Sequence, residues 1–499
     1  MPNFRITGAR IVPLGGNSDI LEGHDIWIKD GRIAAVAATG SPPPFGETYE
    51  TCSFGNAVVI PGLVNSHSHS ASVLQRGNVA GAPLDIFVME AASRKSHRTM
   101  AHVRTAALLH AIEMLKRGIT GVVDHLRHGA VPTVQAMSAA MGAYADIGLR
   151  AVVAPMYEDK RYIDSLPIDQ SRLPADVLAR WTSSSPPPPE DYFAMMEEVV
   201  SEARNHNLVR VMLGVDGPQR CTTRLLEMAG DFAERHKVGL HTHLLEAKTQ
   251  ALMAPKEFDG SFVAYLAHFG LIGPRSSLAH FVWCTDRDIE LAADLKVNVV
   301  NNPVSNLALG SGLQPTARLL AAGVRVGLGS DGGSSNAISL LEQAKTSMLV
   351  SRISEADCDR WITAPMAMRM ACEGGAAVLG HPGELGVIKP GAKADLAILD
   401  LDNDDHQPLG NIWNHLVMYE TGHSVHTVFV DGEMVLRAGR CTRINEDEIY
   451  AAAAEFARKD DAANRQYLDL ARAERAIFQP LITEALQREA PVNRFARLS

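Results

Sequence analysis

Eight short apolar runs alternate with Ala- and Leu-rich helical stretches between residues 58 and 382, and β-patterned segments with Asp-Gly turns stand towards both chain ends. These observations predict an α/β protein, a (β/α)8 TIM-type barrel with a small β-sandwich domain built from both chain ends. At 499 residues the chain can hold a barrel of roughly 300 residues plus one or two smaller units.

Residues 1–57 read as the first part of the small β domain: FRITGARIVPL, then HDIWIKDGRIAAVA with an Asp30-Gly31 hairpin signal, then the loop SPPPFGE. The barrel is expected over 58–382. Its strands are VVIPGLVNSHSH (58–69), ITGVVDHL (119–126), LRAVVAPMY (149–157), VRVMLGVDG (209–217), VGLHTHLL (238–245), SLAHFVW (277–283), VNVVNNPV (297–304) and VRVGLGSDG (324–332). Helical stretches such as HVRTAALLHAIEMLKRG (102–118) and DYFAMMEEVVSEARNHN (191–207) separate them. The stretch 158–190, with SSSPPPPE near its end, exceeds an ordinary connection and predicts a lid, an insertion or a mobile loop. Strand patterns return over 383–444, in GVIKPGAKADLAILDLD and in HTVFVDGEMVLRAGRC with Asp431-Gly432, and 445–499 reads as a helical segment.

Lys+Arg 47 against Asp+Glu 57 gives a net charge of -10, which argues against nucleic acid and anionic membrane as partners. No run reaches about 18 uninterrupted apolar residues, and the first residues carry no apolar core of a secretory signal. Cys52, Cys221, Cys284, Cys358, Cys372 and Cys441 form no CxxC pair and are expected to be reduced thiols packed as small apolar residues. The expectation is a cytoplasmic protein.

Chemistry concentrates where barrel strands end. His67 and His69 are two apart on a strand, so their imidazoles share a face and can reach one ion. His241 and His243 end the fifth strand, His280 lies on the sixth and Asp331 ends the eighth. C-terminal strand ends converge on one mouth of a barrel, where active sites are built. Imidazoles with a carboxylate suit one divalent ion, zinc first, with iron or manganese as alternatives, and such a site acidifies a bound water. Neither LRAVVAPMY nor VRVMLGVD contains a lysine, so the bridging group of a two-metal centre is missing. Glu246, just past His243, is placed as a general acid and base. His280 is placed to orient or deprotonate water, or to hydrogen-bond substrate.

PGLVNSHSHS, HTHLLE, the lone His280, NNPVSNLALGSG and GLGSDGGSSN, in this order, resemble the amidohydrolase superfamily. They most resemble its mononuclear aminohydrolases and chlorohydrolases of guanine, 8-oxoguanine, cytosine-like, adenosine-derivative and s-triazine rings. The resemblance implies His67, His69, His243 and Asp331 as metal ligands, Glu246 and His280 as catalytic, and His241 as a supporting residue. It also implies a homo-oligomer. Departures refine the expectation. Asn301-Asn302-Pro303 stands where many relatives have His-Cys-Pro or His-Asn-Pro. The loop GNVAGAPLDIFVMEA offers Ala80, Ala82 and Phe87 in place of the acids and Trp of nucleoside-derivative deaminases, which predicts a ring without ribose. Asp124-His125 resembles 8-oxoguanine and hydroxytriazine deaminases, where the histidine faces the heterocycle. Gln219, Arg220 and Asn306 are further substrate-contact candidates.

The reading is a metal-dependent deaminase of a small amino-substituted N-heterocycle (purine, pyrimidine, pterin or triazine-like), with no organic cofactor. Asp331, helped by His280, takes the water proton, and Glu246 protonates a ring nitrogen. Dechlorination, dealkylamination or cyclic-amide hydrolysis at the same site is the rival within enzymes. A non-catalytic barrel, kept as scaffold or sensor, is the rival from another class; such barrels typically lose ligands, and none is lost here.

Overall fold

The structure, a computed structural model, describes residues 2–16, 19–77, 81–92, 98–334 and 336–495. Eight parallel barrel strands follow the predicted runs. They are β1 (Leu63–His69), β2 (Ile119–Leu126), β3 (Arg150–Tyr157), β4 (Val209–Val211), β5 (His241–Leu244), β6 (Ser277–His280), β7 (Asn298–Asn301) and β8 (Arg325–Leu328). Two parallel sheets, β4-β3-β2-β1 and β5-β6-β7-β8, are joined at two seams. At one, Leu213 bridges to Leu240, and His241 N donates to the Leu213 carbonyl at 2.8 Å. At the other, Asp331–Gly332 pairs with Ser68 and His69 of β1. The sheet thus closes on itself, which brings both ends of the histidine-bearing face into one mouth.

These segments are strands because both faces are buried: inward side chains meet across the barrel while outward ones meet the helices. Val64, Val123, Val152, Ala154, Met212 and Val300 form one apolar cluster inside the barrel. The surrounding helices have local reasons to start and stop. Thr99, Thr133 and Thr222 each accept a backbone N–H at a helix start, and Gly148 ends the helix Val134–Ile147 at φ 79.

Residues before and after the barrel build two further sheets. One contains Phe4–Thr7, His24–Lys29, Arg32–Ala38 and Glu50–Ser53; the other takes Ala57–Pro61 from before the barrel and Leu396–Asp400, Val425–Val430 and Glu433–Arg437 from after it. Phe4, Ile6, Ile26, Val59, Ile398 and Phe429 fill the space between them. Arg150 at the start of β3 is buried against Asp395 at 3.0 Å and Asp431 at 2.9 Å, tying the barrel to the second sheet.

The stretch 158–190 is more ordered than a mobile loop. It holds 3₁₀ turns at Tyr162–Ser165 and Gln170–Arg172 and a helix at Ala175–Thr182. Its apolar residues Ile163, Leu166, Leu173 and Val177 pack with Phe478, Leu481 and Ile482 of the terminal helix Glu446–Gln487. That burial gives the segment a small core of its own, which the Pro-rich end did not advertise. Tyr162, Ser165 and Leu166 form part of the wall of a cavity of about 270 Å³ at the barrel mouth.

Candidate active site

Four side chains from three separated strand ends meet at the cavity floor. His67 Nε2 and His69 Nε2 lie 3.3 and 3.2 Å from Asp331 Oδ1, and His243 Nε2 lies 3.3 Å from His69 Nε2. Gly329 makes room for this packing, since a Cβ there would stand 2.2 Å from Asn302 Oδ1 and 2.9 Å from His67 Cβ. Backbone strain gathers at the same place. Leu245, His280 and Asp331 have φ of 53, 73 and 59, in the left-handed region that non-glycine residues occupy at a cost of about 1–3 kcal/mol each.

Hydrogen bonds behind the imidazoles fix their tautomers. His69 Nδ1 donates to the His125 carbonyl at 2.7 Å, and His243 Nδ1 donates to Asp216, at 2.8 Å to its carbonyl and 3.0 Å to its carboxylate. His67 Nδ1 faces His241 Nε2 at 2.7 Å, and His241 Nδ1 faces Ser277 Oγ at 2.5 Å. A consistent relay has each Nδ1 donating outward, so the Nε2 lone pairs of His67, His69 and His243 all point at one another and at Asp331. His67 Nε2 is buried without a hydrogen-bond partner. Converging lone pairs and a carboxylate, with no proton to share, fit a divalent cation. His241 is thereby the acceptor that aims His67.

Two groups stand beside this set. His280 Nδ1 donates to Asn306 Oδ1 at 2.9 Å, leaving a buried, unpartnered Nε2 that faces Glu246 Oε1 at 3.6 Å and Asp331 Oδ2 at 3.9 Å. Glu246 lines the cavity; burial pushes its carboxyl up to about 8, partly offset by His243. Asp331 goes the other way. Burial opposes its ionisation, but the His67 and His69 rings outweigh it and hold the carboxyl well below the usual range. One carboxyl is thus kept as an acid and its neighbour as an anion, which is how a site divides acid from base.

Of the substrate-contact candidates, Gln219 and Arg220 line the cavity. Gln219 Oε1 accepts from Gln250 Nε2 at 2.7 Å, and Gln250 in turn accepts from the Glu246 backbone N–H. Arg220 donates to Asp216 and lies 4.6 Å from the Tyr162 ring centroid. The other two are placed differently. His125 is fully buried, its Nε2 donating to the Gly214 carbonyl at 3.1 Å, and it packs beneath His243 and His69 rather than facing the cavity. The alternation of β2 puts it on the same face as Val123. Asn306 holds His280 and does not reach the cavity. In the loop after β1, Ala82 and Phe87 are placed, and Ala80 lies outside the described residues. Sequence reasoning passed over Asp85, Arg98, Arg127, Glu158 and Tyr162, which also line the cavity.

Residues 58–435 match the model of the amidohydrolase family. A 5-methylthioadenosine/S-adenosylhomocysteine deaminase of Desulforudis audaxviator is 30% identical, over 91% of this chain and 98% of its own. A 5'-deoxyadenosine deaminase of Methanothermobacter thermautotrophicus is also 30% identical, over 90% and 98%. An adenosine deaminase from Xanthomonas campestris, solved with bound zinc, superposes with a TM-score of 0.78 at 24% identity, covering 92% of this chain and 99% of its own.

Proposed function

The chain belongs to the amidohydrolase family and is a hydrolase of C–N bonds, and from that premise we propose that it deaminates a small amino-substituted N-heterocycle with release of ammonia. The observation that carries this reading is Glu246. Its carboxyl lines the cavity, faces His280 Nε2 at 3.6 Å and forms no ion pair with a lysine or arginine among the described residues. A carboxyl left free beside the reacting centre is a proton carrier. Amine departure needs such a carrier, because nitrogen leaves far better protonated; halide departure does not.

His67, His69, His243 and Asp331 would hold one divalent ion, zinc first, with iron or manganese as alternatives; when bound, it supplies Lewis acidity that brings water deprotonation towards neutral pH. His280 Nε2, kept unprotonated by Asn306, and Asp331 accept the proton that water gives up. Glu246 delivers a proton to a ring nitrogen, so the tetrahedral carbon forms on a neutral ring. The same carboxyl, recharged from the neighbouring His280, passes the second proton to the amino group, which leaves as ammonia.

The preferred ring is one without ribose. The cavity acids outside the reacting centre are already engaged: Glu158 with Arg127 at 2.9 and 2.8 Å, Asp216 with Arg220 and His243, and Asp85 with the Tyr162 hydroxyl at 3.2 Å. Each has part of its acceptor capacity spent before a sugar diol could reach it. The relatives that act on nucleoside derivatives favour the opposite reading, so both belong in one assay. Ammonia release from aminopurines, aminopyrimidines, pterins and triazines, run beside adenosine derivatives, tests the activity. No release from any ring would overturn it.

A further inference from the structure

Among the described residues three arginines line the cavity, and two are neutralised. Arg127 makes a two-pronged contact with Glu158, and Arg220 donates to Asp216 beneath the Tyr162 ring. Arg98 differs. It stands just before the helix Met100–Leu115, partly buried, and among the described residues its side chain makes one hydrogen bond, Nη1 to the Arg127 carbonyl at 2.8 Å. Among the described residues it forms no ion pair. Asp460 acts on it through space only, and that carboxylate sits 4.0 Å from His102. A guanidinium has five N–H donors in a planar fork, so most of the recognition capacity of Arg98 is unused at the cavity wall.

The charge balance of the cavity points the same way. Glu158 and Asp216 cancel Arg127 and Arg220. Asp331 belongs to the ligand set, where a divalent ion would more than balance it. Glu246 faces His280, and Asp85 accepts from the Tyr162 hydroxyl, so neither pairs with Arg98. Arg98 is the cavity arginine left without a carboxylate partner among the described residues, in a chain whose overall charge is -10. A buried charge without a counter-ion is costly unless a ligand completes it.

We propose that Arg98 is a specificity-determining residue and that the substrate is an amino-substituted N-heterocycle carrying an acidic substituent, a carboxylate, which the Arg98 fork binds while the amino-bearing carbon sits at the metal mouth. This deepens the deaminase reading and rests on it for the substrate's ring. Phe87 and Val88, which also line the cavity, supply an apolar surface for the flat ring.

The experiment uses a matched pair of probes, pterin-6-carboxylate and 6-methylpterin, on the metal-loaded full chain. Calorimetric binding and ammonia release are measured for the parent, Arg98→Met and Arg98→Lys. The parent is expected to bind the acid at least about tenfold more tightly than the methyl ring. Arg98→Met should erase that preference by raising the acid's Kd and KM roughly 10- to 100-fold, the worth of a charge-assisted hydrogen bond. The loss should fall on KM more than on kcat and on the acid more than on the methyl ring, and Arg98→Lys should restore part of the preference. Equal binding of the two probes by the parent, or a preference that survives Arg98→Met, would overturn the proposal. Binding that depends on Arg98 without ammonia release would keep the acid subsite and reject the deaminase reading instead.

Discussion

His69 Nε2 and His243 Nε2 face each other at 3.3 Å, although both rings have already committed their Nδ1 protons, to the His125 carbonyl and to Asp216. Two lone pairs at that distance repel unless a cation lies between them. His67 and the Asp331 carboxylate close the same set. We therefore expect purified protein to hold close to one transition-metal ion per chain, measured by elemental analysis. His67→Ala and Asp331→Ala should each empty or cripple the site, because water cannot replace a protein ligand without weakening metal affinity. Full metal content and activity in both variants would contradict the ligand assignment.

Glu246 offers a separation of chemistry from metal binding. Glu246→Gln keeps the shape of the side chain and its backbone contact with Gln250 but cannot carry a proton. Metal content should remain that of the parent while deamination falls by about 10²–10⁴, the usual worth of a positioned general acid. A variant that deaminates at the parent rate, or that loses its ion, would reject the role.

Asn306 and His241 act through the imidazoles they orient, and their effects should differ. Asn306→Ala removes the acceptor of His280 Nδ1–H, so kcat should drop roughly 10- to 100-fold with metal retained. His241→Phe removes the acceptor that aims His67, so metal affinity should fall by roughly the same factor. Competition against a chelator separates the two: only the His241 variant should release its ion more readily.

The strand-end residues were legible because a period of two assigns a face without any tertiary knowledge. His67 and His69 share a face, as do His241 and His243, and the parallel barrel that the apolar runs implied brings those faces together. Depth was not legible. His125 obeys the same alternation, yet its ring is buried against His69 and His243 and does not line the cavity. Asn306, a substrate-contact candidate in the sequence, holds His280, because the short helix Pro303–Ala308 brings it to the end of β6 in a way no local pattern announces. Arg98, Arg127 and Glu158 come from loops far apart in sequence, so their pairing, and the one arginine left over, exist only in three dimensions.

The ring without ribose is the most exposed expectation, since it rests on the loop after β1. That segment presents Leu84, Asp85, Phe87 and Val88 to the cavity, with Asp85 already held by Tyr162. Asp85 Oδ1 already accepts the Tyr162 hydroxyl at 3.2 Å, so a sugar diol would meet a carboxyl with part of its acceptor capacity spent. A free base makes no such demand, and its in-plane nitrogens can meet Gln219 and Arg220. We therefore expect kcat/KM for the best free ring to exceed that for the matching nucleoside by roughly tenfold. The assay is ammonia release from paired bases and nucleosides at one pH and metal load. A reversed ratio would mean that Asp85 turns to the sugar, and Asp85→Asn should then cost the nucleoside far more than the base; the metal and Glu246 assignments would stand in either case.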